Sequence, residues 1–189
     1  MELYTERLQL RPWEEADAEK LFLYASDHRV GPPAGWKPHT SVEDSLQIIR
    51  AVLSAEGTFA VVLKETRNPV GSVGLILNKE NKHSKVMGQN DGEIGYWIAV
   101  PFWGRELIPE AVRELIRYGF EELSLDNLWC GYYEGNDKSR RVQEKCGFIY
   151  HHTENEKLCP ALNETRTEHF TVLSGERWER EMKGRGEEE

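Results

Sequence analysis

One passage limits the architecture of this chain more than any other: a strand-like run that turns through a tight loop straight into a proline-led helix. Residues 93–100, Glu-Ile-Gly-Tyr-Trp-Ile-Ala-Val, are rich in aromatic and β-branched side chains and read as a strand. Pro101-Phe102-Trp103-Gly104-Arg105-Glu106-Leu107-Ile108 forms the loop, and Pro109 is predicted at the N1 position of the helix, where its missing N–H costs nothing. That helix is predicted to carry Val112, Leu115, Ile116, Gly119 and Leu123 on one face. A helix that leaves a strand so directly must pack back on the sheet. Its first amides have no partner within the helix and the dipole adds partial positive charge, so the corner is suited to an anion such as a pyrophosphate. Such junctions recur in every α/β protein, and this one alone is a weak functional signal.

The other segments agree with one sheet flanked by helices. Residues 7–11 alternate polar and apolar, and Pro12 stops them. Residues 14–26 place Ala18, Leu21, Phe22 and Ala25 at helical spacing. Gly31-Pro32-Pro33-Ala34-Gly35 is a loop. A second helix is predicted over 42–55, with Thr40 or Ser41 as N-cap and Asp44 in the capping-box position. Strands follow at 58–63 and 70–77, joined by a hairpin-type turn, then a polar excursion over 78–91, predicted to be mobile. A strand at 128–133, a short helix at 137–146 and strands at 148–153 and 165–173 complete the order. Neither a repeat nor a composition break divides the chain. We expect a single α/β (α+β) domain over 1–183 and a disordered Gly- and Glu-rich tail over 184–189.

Composition narrows the functional classes. With 24 Lys+Arg against 33 Asp+Glu, the formal charge of −9 repels phosphodiester backbones and argues against sequence-independent nucleic-acid binding. It suits an amine substrate, but equally mere solubility. No apolar run approaches the ~20 residues that span a bilayer, and the N-terminus lacks a signal-peptide pattern, so a cytoplasmic location with no membrane partner is expected. Cys130, Cys146 and Cys159 include no CxxC pair and read as reduced thiols. His28, His39, His83, His151, His152 and His169 show no ligand spacing, so no metal is expected. The six tryptophans read as core or pocket-wall residues, and Ser139 lies outside any GxSxG elbow.

Asn136-Asp137-Lys138-Ser139-Arg140-Arg141-Val142-Gln143-Glu144-Lys145-Cys146-Gly147-Phe148 is, physically, a short helix with Asn136 as N-cap and Gly147 as C-terminal stop. It also closely resembles the second cofactor motif of GNAT acetyltransferases, particularly the RimJ/RimL-type ribosomal-protein N-acetyltransferases. Thr5–Arg11 resembles their opening strand, Glu93–Ile98 their central strand and Trp103-Gly104 the start of their pyrophosphate loop. The resemblance runs in order from about Tyr4 to Leu173, nearly the whole chain.

This resemblance implies a GNAT fold: a mixed, mostly antiparallel sheet whose two central parallel strands splay apart to take the pantetheine arm of acetyl-CoA. The strand edge would be Ile98, Ala99 and Val100, and the pyrophosphate would meet the amides of Trp103, Gly104, Arg105, Glu106, Leu107 and Ile108. Asn136 would bind the pantetheine arm, Ser139 would serve the departing thiolate, and the Ile98 amide or a neighbour would stabilise the oxyanion. Glu93 is the first candidate for the base that frees the amine, with Tyr96, Tyr132, His151 and His152 in reserve. A solvated Glu93 without a role fits the sequence as well. The implied reaction is acetyl transfer from acetyl-CoA to a primary amine, either a protein N-terminus such as that of a ribosomal protein or a small amine. The loops over 29–40 and 79–91 are expected on the acceptor side, and the chain to act as monomer or homodimer.

The loop departs from the family pattern. Relatives carry Gly where this chain has Glu106, and Gly or Ala where it has Ile108. A carboxylate 4 Å from a phosphate charge costs about 1 kcal/mol in water and about 4 kcal/mol at intermediate dielectric. Glu106 is expected either to turn outward and pair with Arg105, or to impair the site and leave a non-catalytic CoA- or partner-binding protein.

Overall fold

The computed structural model describes residues 1–79 and 84–186. In chain order the elements are β1 (Leu3–Tyr4), β2 (Leu8–Arg11), α1 (Ala18–Ala25), α2 (Val42–Ile48), β3 (Thr58–Leu63), β4 (Pro69–Leu77), β5 (Asp91–Ile98), α3 (Leu107–Arg117), β6 (Asn127–Tyr133), α4 (Asp137–Lys145), β7 (Ile149–Cys159), β8 (Glu164–Ser174) and α5 (Gly175–Gly186). Among the described residues the strands form one sheet in the order β1-β2-β3-β4-β5-β6-β8-β7. Every neighbouring pair is antiparallel except β5 and β6, which run parallel. The mixed, mostly antiparallel sheet with one parallel pair and flanking helices is the predicted fold class.

Both faces of the sheet are covered, and the strand period of two sorts its residues between them. On β3, Phe59, Val61 and Leu63 enter the larger core, while Ala60 and Val62 enter the smaller. On β5, Ile94, Tyr96 and Ile98 face the larger core and Trp97 the smaller. The apolar stripe of α3 (Leu107, Ile108, Ala111, Val112, Leu115, Ile116) seals the first face, and Leu21 and Ala25 of α1, with Ile49 just after α2, seal the second.

Local details differ from the sequence reading. Ser41 caps α2 as predicted, accepting the Asp44 amide at 3.0 Å, but the Asp44 carboxylate reaches back to the amide of Thr40 at 2.8 Å. The carboxylate thus holds the residue before the N-cap instead of the usual reciprocal partner, the N-cap amide itself. Both long predicted helices end in a wider, π-helical turn, at Ile49–Leu53 and Tyr118–Glu122. Helix α3 begins at Leu107, so Pro109 is its third residue rather than its first. Its missing N–H is still one of the unpaired donors of the first turn. The sequence reading missed β1 and α5. Part of the polar excursion, residues 80–83 with His83, lies outside the described residues, as do 187–189 of the expected tail, while Gly186 closes α5.

Candidate active site

Strands β5 and β6 pair only at Asp91↔Asn127, Gly92↔Leu128 and Glu93↔Trp129. Beyond that point β5 stays in register with β4 as far as Ile98, and β6 with β8 as far as Tyr133, but the two no longer touch through their backbones. The sheet therefore forks. Just past the last pair, the Cys130 thiol donates to the carbonyl of Ile94 at 3.0 Å and closes the base of the fork. Its burial and, next, the charge of Glu93 hold that thiol far above its ordinary pKa, so it remains protonated and inert.

Helix α4 lies across the open end. Asn136 caps it by accepting the Ser139 amide at 3.2 Å and donates through its own amide to the Pro33 carbonyl at 3.0 Å, tying the 31–35 loop to the helix start. The Tyr96 hydroxyl spans the fork to the Ser139 hydroxyl and carbonyl, both at 3.0 Å. Gln143, buried on the next turn, donates to the Gly131 carbonyl at 3.0 Å and accepts from Thr171 at 2.7 Å. Burial above all raises the Tyr96 phenol well above its usual range. It is a hydrogen-bond donor at neutral pH, which removes it from the reserve list of bases.

The loop after β5 has the predicted strand-to-helix course. Ala99 is buried and its amide goes to the Val70 carbonyl at 2.9 Å. Val100 opens a short 3-10 turn and lines a depression of about 350 Å³ with Tyr24, Asp27 and Arg29. Another depression, of about 430 Å³, lies on the β1–β3 edge. Trp103 turns back and its indole N–H donates to the Ile98 carbonyl at 3.0 Å, while Lys138 of α4 stands 3.3 Å from the centre of its ring. Gly104 and Glu106 both have left-handed backbone, at φ 73° and 60°. The amides of Gly104, Arg105 and Glu106 have no hydrogen-bond partner among the described residues, and those of Leu107 and Ile108 belong to the unpaired first turn of α3.

Glu106 turns outward, but not toward Arg105. Its carboxylate meets Lys145, at the end of α4, at 2.5 Å. Arg105 instead lies over the Phe102 ring at 5.6 Å. Arg105 is a sequence neighbour, but the left-handed turn aims the Glu106 side chain at α4.

Glu93 lies on the opposite face of β5 from Tyr96, with Trp97. Sequence reasoning missed the residues that share this face: Glu168 on β8, its partner Lys157 on β7 at 2.7 Å, and Gly131 on β6. A bulge between Tyr150 and His152 brings both adjacent imidazoles to Trp129, with ring centres 4.7 and 6.3 Å away. Glycines inside strands, Gly95 and Gly131, were the available clue, since such positions mark close approach of a ligand or another chain. Among the described residues no cluster of His, Cys, Asp and Glu has metal-binding geometry.

The acetyltransferase (GNAT) domain family matches residues 7–149. YdaF of Bacillus subtilis strain 168, whose name provisionally assigns it to ribosomal N-acetylation, is 51% identical over 152 residues, covering 76% of this chain and 79% of its own. A GNAT-family acetyltransferase from Bacillus anthracis superposes with a TM-score of 0.77 at 26% identity, over 93% of this chain and 99% of that one. The microcin C7 self-immunity acetyltransferase MccE, solved with acetyl-CoA and AMP, shares the fold at a TM-score of 0.71 and 17% identity, over 90% and 93% of the two chains. A match across most of the chain and a relative at half identity show that this protein belongs to the GNAT acetyltransferase family and is an acyltransferase.

Proposed function

We propose that the chain transfers acetyl from acetyl-CoA to a primary amine, by direct attack within a ternary complex. The observation that carries this reading is the fork: β5 leaves β6 after three pairs and presents an unladdered edge from Ile94 to Ile98. A pantetheine arm carries two amides and can hydrogen-bond such an edge as an added strand does. Trp103 must release the Ile98 carbonyl for this, exchanging one hydrogen bond for another. The run of unpartnered amides from Gly104 to Ile108 then suits the pyrophosphate. Lys145 partly neutralises Glu106 there, which favours a working site over the non-catalytic alternative.

In the reaction, Glu93 takes one proton from the acceptor ammonium and frees its lone pair. Nitrogen attacks the thioester carbonyl, the Ile98 amide or a neighbour holds the oxyanion, and collapse breaks the C–S bond. As the C–S bond breaks, the Ser139 hydroxyl, which Tyr96 orients, passes a proton to the thiolate and takes up, through solvent, the second proton shed by the amide nitrogen, so it ends as a hydroxyl. An oxyanion donor of this kind contributes about 3 kcal/mol. The acceptor class is a protein N-terminal amine, as the name of YdaF suggests, or a small alkylamine. The three buried free thiols fit a reducing cytosol.

Acetyl-CoA is expected to raise Tm, and an amine panel including ribosomal-protein N-terminal peptides and polyamines to release free CoA thiol. Ser139→Ala should lower kcat roughly tenfold to a hundredfold while the acetyl-CoA Kd stays within about threefold. A protein whose Tm ignores millimolar acetyl-CoA would sink the reading.

A further inference from the structure

Two glycines sit opposite each other just inside the fork. Gly95 and Gly131 each lie two residues beyond the last pair, Glu93↔Trp129, and the strand period puts all four on one face. A Cβ on Gly95 would meet nothing within 4 Å. One on Gly131 would lie 2.7 Å from a carboxylate oxygen of Glu168 and 3.4 Å from the Phe170 ring. The Glu168 carboxylate therefore occupies the space over β6 that a side chain would fill. This is the face opposite to Tyr96 and Ser139, where α3 and α4 close the way. A nucleophile bound for a thioester beside Ser139 has its free approach from the glycine side.

The chemistry gathered there fits an alkylammonium. Lys157 Nζ, itself a primary alkylammonium, lies 2.7 Å from Glu168, 3.4 Å from Glu154 and 4.3 Å from the centre of the Phe170 ring. Carboxylate and aromatic face together bind such a cation. Lys157 is 38% exposed on a flexible stem and can withdraw into solvent, whereas the Glu168 side chain is 12% exposed and stays. Burial raises the Glu168 pKa, Lys157 opposes this, and the charge of Glu93 on the same face raises it further. Trp36 and Trp97, with ring centres 5.8 Å apart, add an apolar wall on the same face.

We infer that the acceptor amine enters through the Gly95–Gly131 slot and that Glu168 holds it as an ammonium ion, in the place Lys157 now fills. This rests on the acetyl-transfer reading and adds to it a binding residue and an internal placeholder. Glu168 positions the amine, and Glu93 remains the group that takes its proton.

The test uses n-butylamine, an ammonium ion at neutral pH, and aniline, which is uncharged. Glu168→Gln should raise the n-butylamine KM roughly tenfold to a hundredfold, leave the aniline KM within about twofold and leave the acetyl-CoA Kd unchanged; Glu168→Asp should recover part of the loss. Gly95→Val, which has room to fold, should keep acetyl-CoA binding and lower kcat/KM for both amines at least roughly tenfold. Lys157→Met should lower the n-butylamine KM. Equal loss for both amines in Glu168→Gln, or unchanged kcat/KM in Gly95→Val, overturns the inference while acetyl transfer stands. Wild-type protein that binds acetyl-CoA but acetylates neither amine nor any peptide removes the acetyl-transfer reading itself, and this inference with it.

Discussion

Glu106 holds a left-handed backbone at φ 60° and ψ 20°, a conformation that strains a non-glycine residue by about 1 kcal/mol. Its ion pair with Lys145 is half exposed on both sides and returns less than about 1 kcal/mol. Glu106→Gly should therefore leave Tm unchanged or slightly raised, read by calorimetry. The same pairing directs the carboxylate away from the loop amides, so the acetyl-CoA Kd of Glu106→Gly should move by less than about threefold. Lys145→Met leaves the acid unneutralised beside an incoming pyrophosphate and should weaken binding by roughly fivefold, and adding Glu106→Gly should restore it. Titration calorimetry on the three variants decides it: a Lys145→Met defect that persists in the double variant would mean that Lys145 binds phosphate directly. The departure at Glu106 is visible in the sequence. Its partner is 39 positions away, and nothing local distinguishes Lys145 from Arg105.

Helix α3 is fixed at its first turn by the turn between β1 and β2. Glu110 accepts from the Thr5 hydroxyl at 2.5 Å, the Arg7 amide at 2.9 Å and the Arg7 guanidinium at 2.6 Å. Burial alone would raise the Glu110 pKa, but those donors outweigh it and hold the carboxyl below its ordinary 4.5. A carboxylate with a lowered folded pKa adds stability above its unfolded pKa, and that stability is lost as pH falls through the folded value. Glu110→Gln should accordingly cost about 2 kcal/mol at pH 7, with the difference from wild type shrinking below pH 4.5 in urea titrations. A pH-independent loss would place the effect in packing. At this scale the sequence was readable wherever periodicity ran long, as in α3 and β3. It failed at β1, which is two residues long and has no period, and at the π-helical ends of the two long helices.

Across the whole molecule, the fork has to stay open without letting the two halves of the sheet drift apart. Three backbone pairs and the Cys130–Ile94 contact hold its base, and Gln143 holds its far side. From α4 it reaches the Gly131 carbonyl on β6, the Thr171 hydroxyl on β8 and, at 3.3 Å, the Ser139 hydroxyl. Gln143 is 1% exposed. Gln143→Leu would take the donor from the Gly131 carbonyl, leave Thr171 only the Cys130 carbonyl to bond, and loosen the helix that carries Ser139, costing about 2 kcal/mol and lowering Tm by roughly 4–8 °C. The acetyl-CoA Kd should weaken in parallel. Stability lost with Kd intact would show that α4 needs no such anchor.

Local pattern alone determined the strand-loop-helix corner, the capped helix at Asn136 and the succession of strands and helices along the chain, because each depends on residues within a few positions of one another. The family likeness added roles for Ser139 and the loop amides. Tertiary structure alone decided which face Glu93 occupies, that Tyr96 reaches Ser139, that Glu106 meets Lys145, and that Glu168 lies over Gly131. These contacts join strands and helices separated by tens of residues, and their partners are selected by sheet order and strand divergence, which leave no periodic trace in the chain.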